Sequence, residues 1–486
     1  ADLSQQGMAK ASNEILNWIA AQEWCDGNIG MFGDSIQAQV QFVAASMGNS
    51  HLKAIMPAST WWDNYGALMF PGGIFDKAFG KFFIWSQTLL DSSLITPVDT
   101  DQDGTLLSQA LAERRNATTA DVADNIIGPR FPFRDSLTPS GRRIWDFSSL
   151  IPEIDQINRS GIPVYLINGW YDLLTRDNFL IYANLQVPKR LLVRPTDHSS
   201  VDKSRSDVDF GVEAQRWFDY WLKGIDNGIM NEPPIRYYLL NTGKKEAWKI
   251  ADAWPLKGLE KTTYYFGSGD GNGTSSTNNG TLQCNPPTDP IAFDRHTVDY
   301  TTTTGKRARW TAVEETHQYP NMRSNDAKAL TYTTRPLEEA MHIIGHPVLH
   351  LWLSSDAADL DLFAYLEEVD QNGNSTYVTE GNLRASHRAL NCSPFENFGL
   401  PFHTHFKSDQ QPIPAGEPIE LVFDLLPTAY HFEKGKQIRL TIAFADTDNF
   451  ETPIIDPPPS LRLMRDRDHP SFIQCPLART GSGESS

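Results

Sequence analysis

Cysteine is scarce in this chain. Only four occur in 486 residues, at Cys25, Cys284, Cys392 and Cys475, with no C-x-x-C pair among them. Such spacing signals neither a zinc site nor a disulfide framework, though it leaves room for one or two isolated bridges. Long apolar runs are missing too: no stretch reaches the roughly 18 residues of a membrane-spanning helix. Basic charge is in deficit, with 42 Lys and Arg against 60 Asp and Glu and a formal net charge of −18. Phosphate binding needs a basic field, so no nucleic-acid partner is expected. An anionic membrane needs the same field, so no membrane docking is expected either; the charge serves solubility. The first thirty residues lack a basic segment followed by an apolar one, so no signal peptide is read there. Six N-x-[ST] sequons, at Asn116, Asn158, Asn272, Asn279, Asn374 and Asn391, are compatible with secretion. Chance supplies several in a chain this long, and the compartment stays open.

What is present is the makeup of a globular protein, 40% hydrophobic and 21% charged. Aromatics reach 11%, with 13 Trp, which points to large cores. One core rarely grows past roughly 250–300 residues, so two or three domains are expected. Residues 9–24 read as an amphipathic helix with Ile15, Leu16, Trp18, Ile19 and Trp24 at helical spacing. I-G-M-F-G follows as a buried strand, D-S-I-Q-A-Q-V-Q-F-V-A-A-S as a helix and L-K-A-I-M-P-A as a second strand. This alternation indicates a parallel α/β sheet. An aromatic-rich stretch from Trp61 to about Ser160 interrupts it. I-P-V-Y-L-I-N-G and R-L-L-V-R-P then resume it, and V-E-A-Q-R-W-F-D-Y-W-L-K-G closes as a helix with Gly224 as its C-cap. Beyond residue 226 short alternating strands dominate, punctuated by turns such as D-Q-N-G-N, which suggests a β-sandwich or jelly roll. The Gly/Ser/Asn run at 267–280 reads as a loop, and the tail R-T-G-S-G-E-S-S as disordered. The expected layout is therefore α/β core at 1–60 and 161–225, helical cap at 61–160 and β-sandwich at 226–486.

Ser35 lies in G-M-F-G-D-S-I-Q-A, between a buried strand and a helix, the context of a nucleophile elbow. Such a turn strains the serine backbone and needs small neighbours, here Gly33 and Ala38. The backbone amide of Ile36, at the helix start, is placed to donate to an oxyanion. A serine hydroxyl needs a histidine base, and the histidine needs an acid to hold its tautomer. In α/β-hydrolases they follow in the order Ser, Asp, His, each after a later strand. Asp172 follows one strand in N-G-W-Y-D, and His198 follows the next in P-T-D-H-S-S. Each is just past the C-terminal end of its strand, where such sheets place their sites. Taken singly, each has a bland reading: G-x-S is common, Asp172 would cap a helix, and His198 is one of twelve histidines. The order of all three carries the inference. Asp177 and Asp197 are rival acids, with loop or N-cap roles favoured.

The stretch W-I-A-A-Q-E-W-C-D-G-N-I-G-M-F-G-D-S resembles the nucleophile region of the cocaine esterase and X-prolyl dipeptidyl peptidase family, the CocE/NonD hydrolases. N-G-W-Y-D and P-T-D-H-S resemble the segments carrying its acid and histidine. R-S-N-D-A-K-A-L-T-Y-T-T-R-P-L, L-S-S-D-A-A-D-L-D, G-N-L-R-A-S-H-R and F-E-K-G-K-Q-I-R-L resemble its C-terminal domain. The likeness covers nearly the whole chain. It implies an α/β-hydrolase core, a helical cap and a jelly roll, with Ser35, Asp172 and His198 hydrolysing esters or amides through an acyl-enzyme. Three departures stand out. Ile36 replaces a usual Tyr and Ala38 a usual Gly. The family's leading strands, including the tyrosine that gives a second oxyanion donor, precede the point where this sequence begins, so a fragment is expected.

Other motifs are weaker. D-T-D-Q-D-G at 99–104 begins like a calcium loop, but its twelfth position is Ala110, not Glu. His403 and His405 could chelate a metal but have no third ligand, so an exposed strand or loop is favoured. His346 and His350 alternate with apolar residues as sheet positions do. Trp61, Trp62, Trp170 and Tyr171 are candidate pocket walls, and the aromatics from Trp61 to Trp85 serve equally well as cap core. The expectation is a cofactor-free, metal-free enzyme acting on a small-molecule or short-peptide acyl substrate. Homo-oligomer formation stays open. Esterase or amidase ranks first, and X-prolyl peptidase or α-amino-acid ester hydrolase second. Two readings from outside this class are a binding module with a relic triad and acyl transfer to an acceptor other than water.

Overall fold

The computed structural model describes residues 5–90, 95–116, 130–138, 141–146, 149–198, 208–243, 247–269, 276–311 and 317–479. Sequon Asn272, the middle of the Gly/Ser/Asn run and the tail from residue 480 lie outside the described residues.

The first of two sheets runs β1 (Ile29–Asp34), β2 (Leu52–Ala58), β3 (Val164–Gly169), β4 (Lys189–Arg194), β5 (Ile235–Tyr238) and β6 (Trp248–Ala251), in that spatial order. β1 to β5 are parallel, and β6 returns antiparallel. The helices of this half are α1 (Gln5–Ala20), α2 (Ile36–Ser46), α3 (Lys77–Leu90), α4 (Thr105–Asn116), α5 (Ile154–Ser160), α6 (Thr175–Asn184) and α7 (Phe210–Lys223). β3 is buried at every position and β4 at all but its first. Central parallel strands are covered on both faces, which is why their sequences are near-continuous apolar runs. α7 starts where the Asp209 carboxylate accepts the Gly211 N–H at 2.7 Å, and it ends at Gly224 with φ +69°. The buried Trp217 of α7 donates its indole N–H to the Ile55 carbonyl in β2, 3.1 Å away.

The expected border at residue 226 falls inside this sheet, because β5 and β6 extend it to residue 251. Their sequences, I-R-Y-Y and W-K-I-A, are short and mixed like the later strands. Only their pairing onto β4 assigns them, and pairing is not local information. α1 also differs from its expected pattern. Leu16 is buried, but Ile15, Trp18 and Trp24 are exposed, and α1 stops at Ala20. β1 is an edge strand among the described residues, and Phe32 on it is 65% exposed.

The second sheet has thirteen strands between Glu260 and Arg479. The short alternating strands expected here include Leu330–Thr333, Val348–Ser355, Asp361–Val369, Ile419–Asp424 and Gln437–Ala443, whose sequences A-L-T-Y-T-T, P-V-L-H-L-W-L-S-S, L-D-L-F-A-Y-L-E-E-V, I-E-L-V-F-D-L and Q-I-R-L-T-I-A-F read as strands. The strand Phe472–Arg479 pairs with Glu260–Gly267 on one side. On its other side it changes partner from Val348–Ser355 to Met341–Gly345. This split in neighbours turns one connected sheet over on itself as a sandwich, with Leu349, Leu362, Leu440 and Ile473 fully buried inside. The two sheets are joined by backbone: Leu240 donates its N–H to the Ala429 carbonyl at 2.8 Å and accepts from His431 N–H at 3.0 Å.

The cap is built on rings. Tyr65 stacks on Phe70 with centroids 5.1 Å apart, and Trp145 packs edge-on against both. They share one buried cluster with Trp61 and with Trp310, Phe363 and Phe450 of the sandwich, whereas Trp85 is exposed. The calcium-like stretch caps α4 instead: the Asp101 carboxylate accepts the N–H groups of Leu106 and Leu107, and Asp103 that of Thr105. All four cysteines are free.

Candidate active site

Ser35 occupies the single residue between β1 and α2, with φ +56° and ψ −123°. A non-glycine residue rarely adopts this conformation, and it persists only when its surroundings force it. The forces are visible. Ser35 N–H donates to the Ala58 carbonyl at the end of β2 (3.0 Å), and its own carbonyl accepts from Ala38 and Gln39. Gly33 has φ +150°, and a Cβ there would stand 2.8 Å from the Gln37 side chain. Ala38 is fully buried where α2 meets the sheet. Ser35 itself is half-buried. Ile36 is the first residue of α2, and the first amides of a helix have no intrahelical acceptor. Its side chain is 52% exposed.

Asp172 lies three residues past β3, its N–H donating to the Gly169 carbonyl at 3.2 Å. His198 lies four residues past β4. The two turns are tied together: Trp170 and Tyr171 donate backbone N–H groups to the carbonyls of Arg194 and Thr196. Contact is so close that a Cβ on Gly169 would stand 2.1 Å from the Thr196 carbonyl oxygen. Within this frame the His198 Nδ1 faces the Asp172 carboxylate at 3.1 and 3.3 Å, and both residues are buried. Oδ1 of Asp172 also accepts the Leu174 N–H at 3.0 Å.

Burial alone would push the Asp172 carboxyl up. The charge and hydrogen bond of His198, the Leu174 amide and the Ser59 hydroxyl outweigh it and hold Asp172 below the usual range. Burial would likewise push His198 down. Asp172, with Asp34 and Asp197 behind it, outweighs that and holds the imidazole above its usual range. Asp34, the residue before Ser35, adds to the upward push on the imidazole. A carboxylate at Nδ1 keeps the proton there and leaves Nε2 as the unprotonated, accepting nitrogen of the neutral ring.

Of the rival acids, Asp177 accepts the N–H groups of Trp62 and Asp63 at 2.7 and 3.0 Å from the first turn of α6. Asp197 accepts the His317 N–H at 3.3 Å. Both therefore anchor loops. Trp170 is a core residue, donating its indole N–H to the Tyr238 carbonyl and packing against Phe179 and Trp254. Trp61 lies in the buried cap cluster. Trp62 is fully buried against Phe395 and lines a cavity of about 110 Å³ where core, cap and sandwich meet. Tyr171 lines an open pocket of about 430 Å³ with His317, Tyr319 and Tyr377. His403 sits in a loop between the carbonyls of Ala389 and Val422, and His405 meets the His387 ring at 3.0 Å. This pair faces inward, where an exposed segment was expected. His350 is a sheet residue on Glu420 and Phe472. His346, just before the strand Val348–Ser355, stands beside Asp424. Among the described residues no three His, Cys, Asp or Glu side chains are grouped to hold a metal.

Three neighbours of the site carry no local sequence signal. Ser59, at φ +48° just past β2, is fully buried and contributes to holding Asp172 down. Arg309 of the sandwich half donates from Nη1 to the Asp172 carbonyl at 3.2 Å. His317 reaches Asp197.

A serine between strand and helix, with a buried aspartate and histidine on the next turns of the same sheet edge, is the organisation of an α/β-hydrolase, and the class is the serine hydrolases. Residues 2–200 match the family described as X-Pro dipeptidyl-peptidase (S15 family), and residues 227–470 match the X-Pro dipeptidyl-peptidase C-terminal non-catalytic domain. The chain belongs to this family. A Mycobacterium bovis protein named as a serine esterase is 31% identical, over 96% of this chain and 78% of its own length. The cocaine esterase of a Rhodococcus species is 25% identical, over 96% and 84%. A CocE/NonD family hydrolase from Staphylococcus aureus has the same fold, with a TM-score of 0.69 at 20% identity over 99% of this chain and 76% of that one.

Proposed function

We propose that the protein hydrolyses an ester or amide of a small molecule or short peptide through a Ser35–His198–Asp172 triad. The carrying observation is the buried His198–Asp172 pair on the sheet edge that ends in the strained Ser35 turn. Ser35 Oγ attacks the substrate carbonyl while His198 Nε2 takes its proton. The Ile36 N–H donates to the oxyanion. Collapse of the tetrahedral species expels the alcohol or amine, which receives the proton from His198, and water repeats the sequence on the acyl-enzyme. Asp172 stays ionised throughout and balances the imidazolium.

A second reading, hydrolysis of X-prolyl dipeptides or α-amino-acid esters, is favoured by one feature. The carboxylate of Asp34, next to Ser35 and felt at His198, would attract a substrate's free ammonium group. Labelling with a fluorophosphonate, with mass spectrometry to locate the adduct, tests the triad. The adduct is expected on Ser35 and absent in Ser35→Ala. A folded protein that takes no label would turn the reading toward a binding module. Substrate panels with and without a free amine then separate the two hydrolytic readings.

A further inference from the structure

The sandwich half matches a domain described as non-catalytic, yet it touches both turns that carry the proposed acid and base. Two short segments make the contact. They are held together at Arg307 and Gln318, where Gln318 N–H donates to the Arg307 carbonyl at 3.0 Å and Arg307 Nη1 donates to Gln318 Oε1 at 2.7 Å. Next to this neck on one side is Arg309, and on the other is His317, which reaches the Asp197 carboxylate beside His198.

Arg309 is fully buried. Its Nη1 donates to the Asp172 carbonyl at 3.2 Å, and its Nε stands 3.6 Å from Glu380 Oε1. Glu380 is fixed in turn, accepting from the Tyr377 and Tyr319 hydroxyls at 2.7 and 3.3 Å. Those two tyrosine rings stack with centroids 3.6 Å apart, and the Tyr319 hydroxyl accepts the Arg309 backbone N–H at 3.0 Å. A rigid, charged assembly of the sandwich thus ends on one backbone oxygen of the acid's turn. The other donors to that oxygen, Thr175 N–H and Oγ1, are local to the turn. Burying a charged arginine where an apolar side chain would pack as well does little for stability, so its position calls for another explanation.

The geometry points to Arg309 as a positioning residue for Asp172: the sandwich domain sets the direction of the acid carboxylate through the Asp172 carbonyl. This rests on the triad reading above. Shifts of about 1 Å in reacting geometry cost on the order of 100-fold in rate, so partial release of one tether is expected to cost about tenfold.

The test is the double variant Arg309→Met/Glu380→Gln, which leaves no lone charge in the core. Arg439→Met/Asp326→Asn removes a second buried pair of the same domain (2.7 Å) and serves as the control. Melting temperature, kcat, KM and the pH dependence of kcat/KM on a p-nitrophenyl ester are read for each. The Arg309 pair is expected to fold, with kcat down about tenfold, KM unchanged, and the acid limb moved to lower pH because Asp172 supports the His198 charge less well. The control pair is expected to keep the parent's kcat and acid limb. A folded Arg309 pair with the parent's kcat and acid limb overturns the inference, as does an equal loss in the control. Ser35→Ala, run alongside, separates the two ideas. If it keeps the parent's activity, the triad reading falls and this inference with it. If it is inactive while the Arg309 pair is unchanged, the tether alone falls.

Discussion

Replacing Asp172 by Asn probes the proposed mechanism at one atom. Leu174 N–H donates to Oδ1 at 3.0 Å, so in the variant that position must stay oxygen and the amide nitrogen takes the place of Oδ2. Oδ2 is 3.3 Å from His198 Nδ1. An NH₂ there competes with Oδ1, 3.1 Å away, for Nδ1; where it donates, the ring proton moves to Nε2 and the base is removed from the serine side. A wrong tautomer of this kind costs about 10⁴-fold in kcat, or about 5.4 kcal/mol at about 1.36 kcal/mol per tenfold. The charge support is lost as well, so His198 shifts downward from its raised position. The acid limb of fluorophosphonate labelling should therefore move to lower pH. Stability changes with a defined sign. Asp172 is depressed, so its contribution is present above 3.8 and lost as pH falls through its folded value. His198 is raised, so its contribution is full below 6.5 and lost as pH rises through its folded value. Denaturant melts across pH should show the parent's advantage over Asp172→Asn greatest between those limits. A variant within tenfold of the parent's kcat, with an unmoved acid limb, would refute the assignment of Asp172.

Ser35→Gly should abolish ester hydrolysis yet gain about 1 kcal/mol in urea unfolding, because φ +56° costs serine about 1–3 kcal/mol and glycine gives back only about 0.5–1; a loss of stability would show that the turn is unstrained. Gly169→Ala drives a Cβ into the Thr196 carbonyl, so a loss of about 1–3 kcal/mol and a fall in kcat through the displaced His198 turn are expected in melts and assays. The buried Asp177 carboxyl is pushed up to about 6, so the folded state keeps a proton that the unfolded chain releases near 3.8. It therefore lowers stability as pH rises from about 4 to about 6. Asp177→Asn should flatten that part of the pH–stability curve, and parallel curves for variant and parent would contradict the shift.

The parallel core was legible because its strands are buried on both faces, so V-Y-L-I-N-G and R-L-L-V-R announce themselves as apolar runs. The Ser35 turn was legible because small residues and a strand-to-helix switch fall within a few positions. Strand order pointed to Asp172 and His198, which lie 3.1 Å apart. What stayed hidden depends on pairing across long distances. β5 and β6 look like sandwich strands until they are seen beside β4. Trp170 follows a strand as a pocket residue would, but Trp254, more than eighty residues later, closes over it. Arg309 and Ser59 act on Asp172 from segments whose own sequences give no sign of it. The stripe expected on α1 holds at Leu16 and Ile19 but not at Ile15, Trp18 and Trp24, for the opposite reason: helical spacing shows that a face is apolar, not that all of it is covered.

The backbone stitch at Leu240 has a mechanical consequence. Strand β5 runs from the catalytic sheet directly into hydrogen bonds with Ala429 and His431, so the two halves share a seam where a flexible linker could have been. A hinge needs a few residues free to absorb rotation, and none can act at a seam of this kind without breaking main-chain hydrogen bonds. Swinging the halves apart would therefore break the bonds that Leu240 makes with Ala429 and His431.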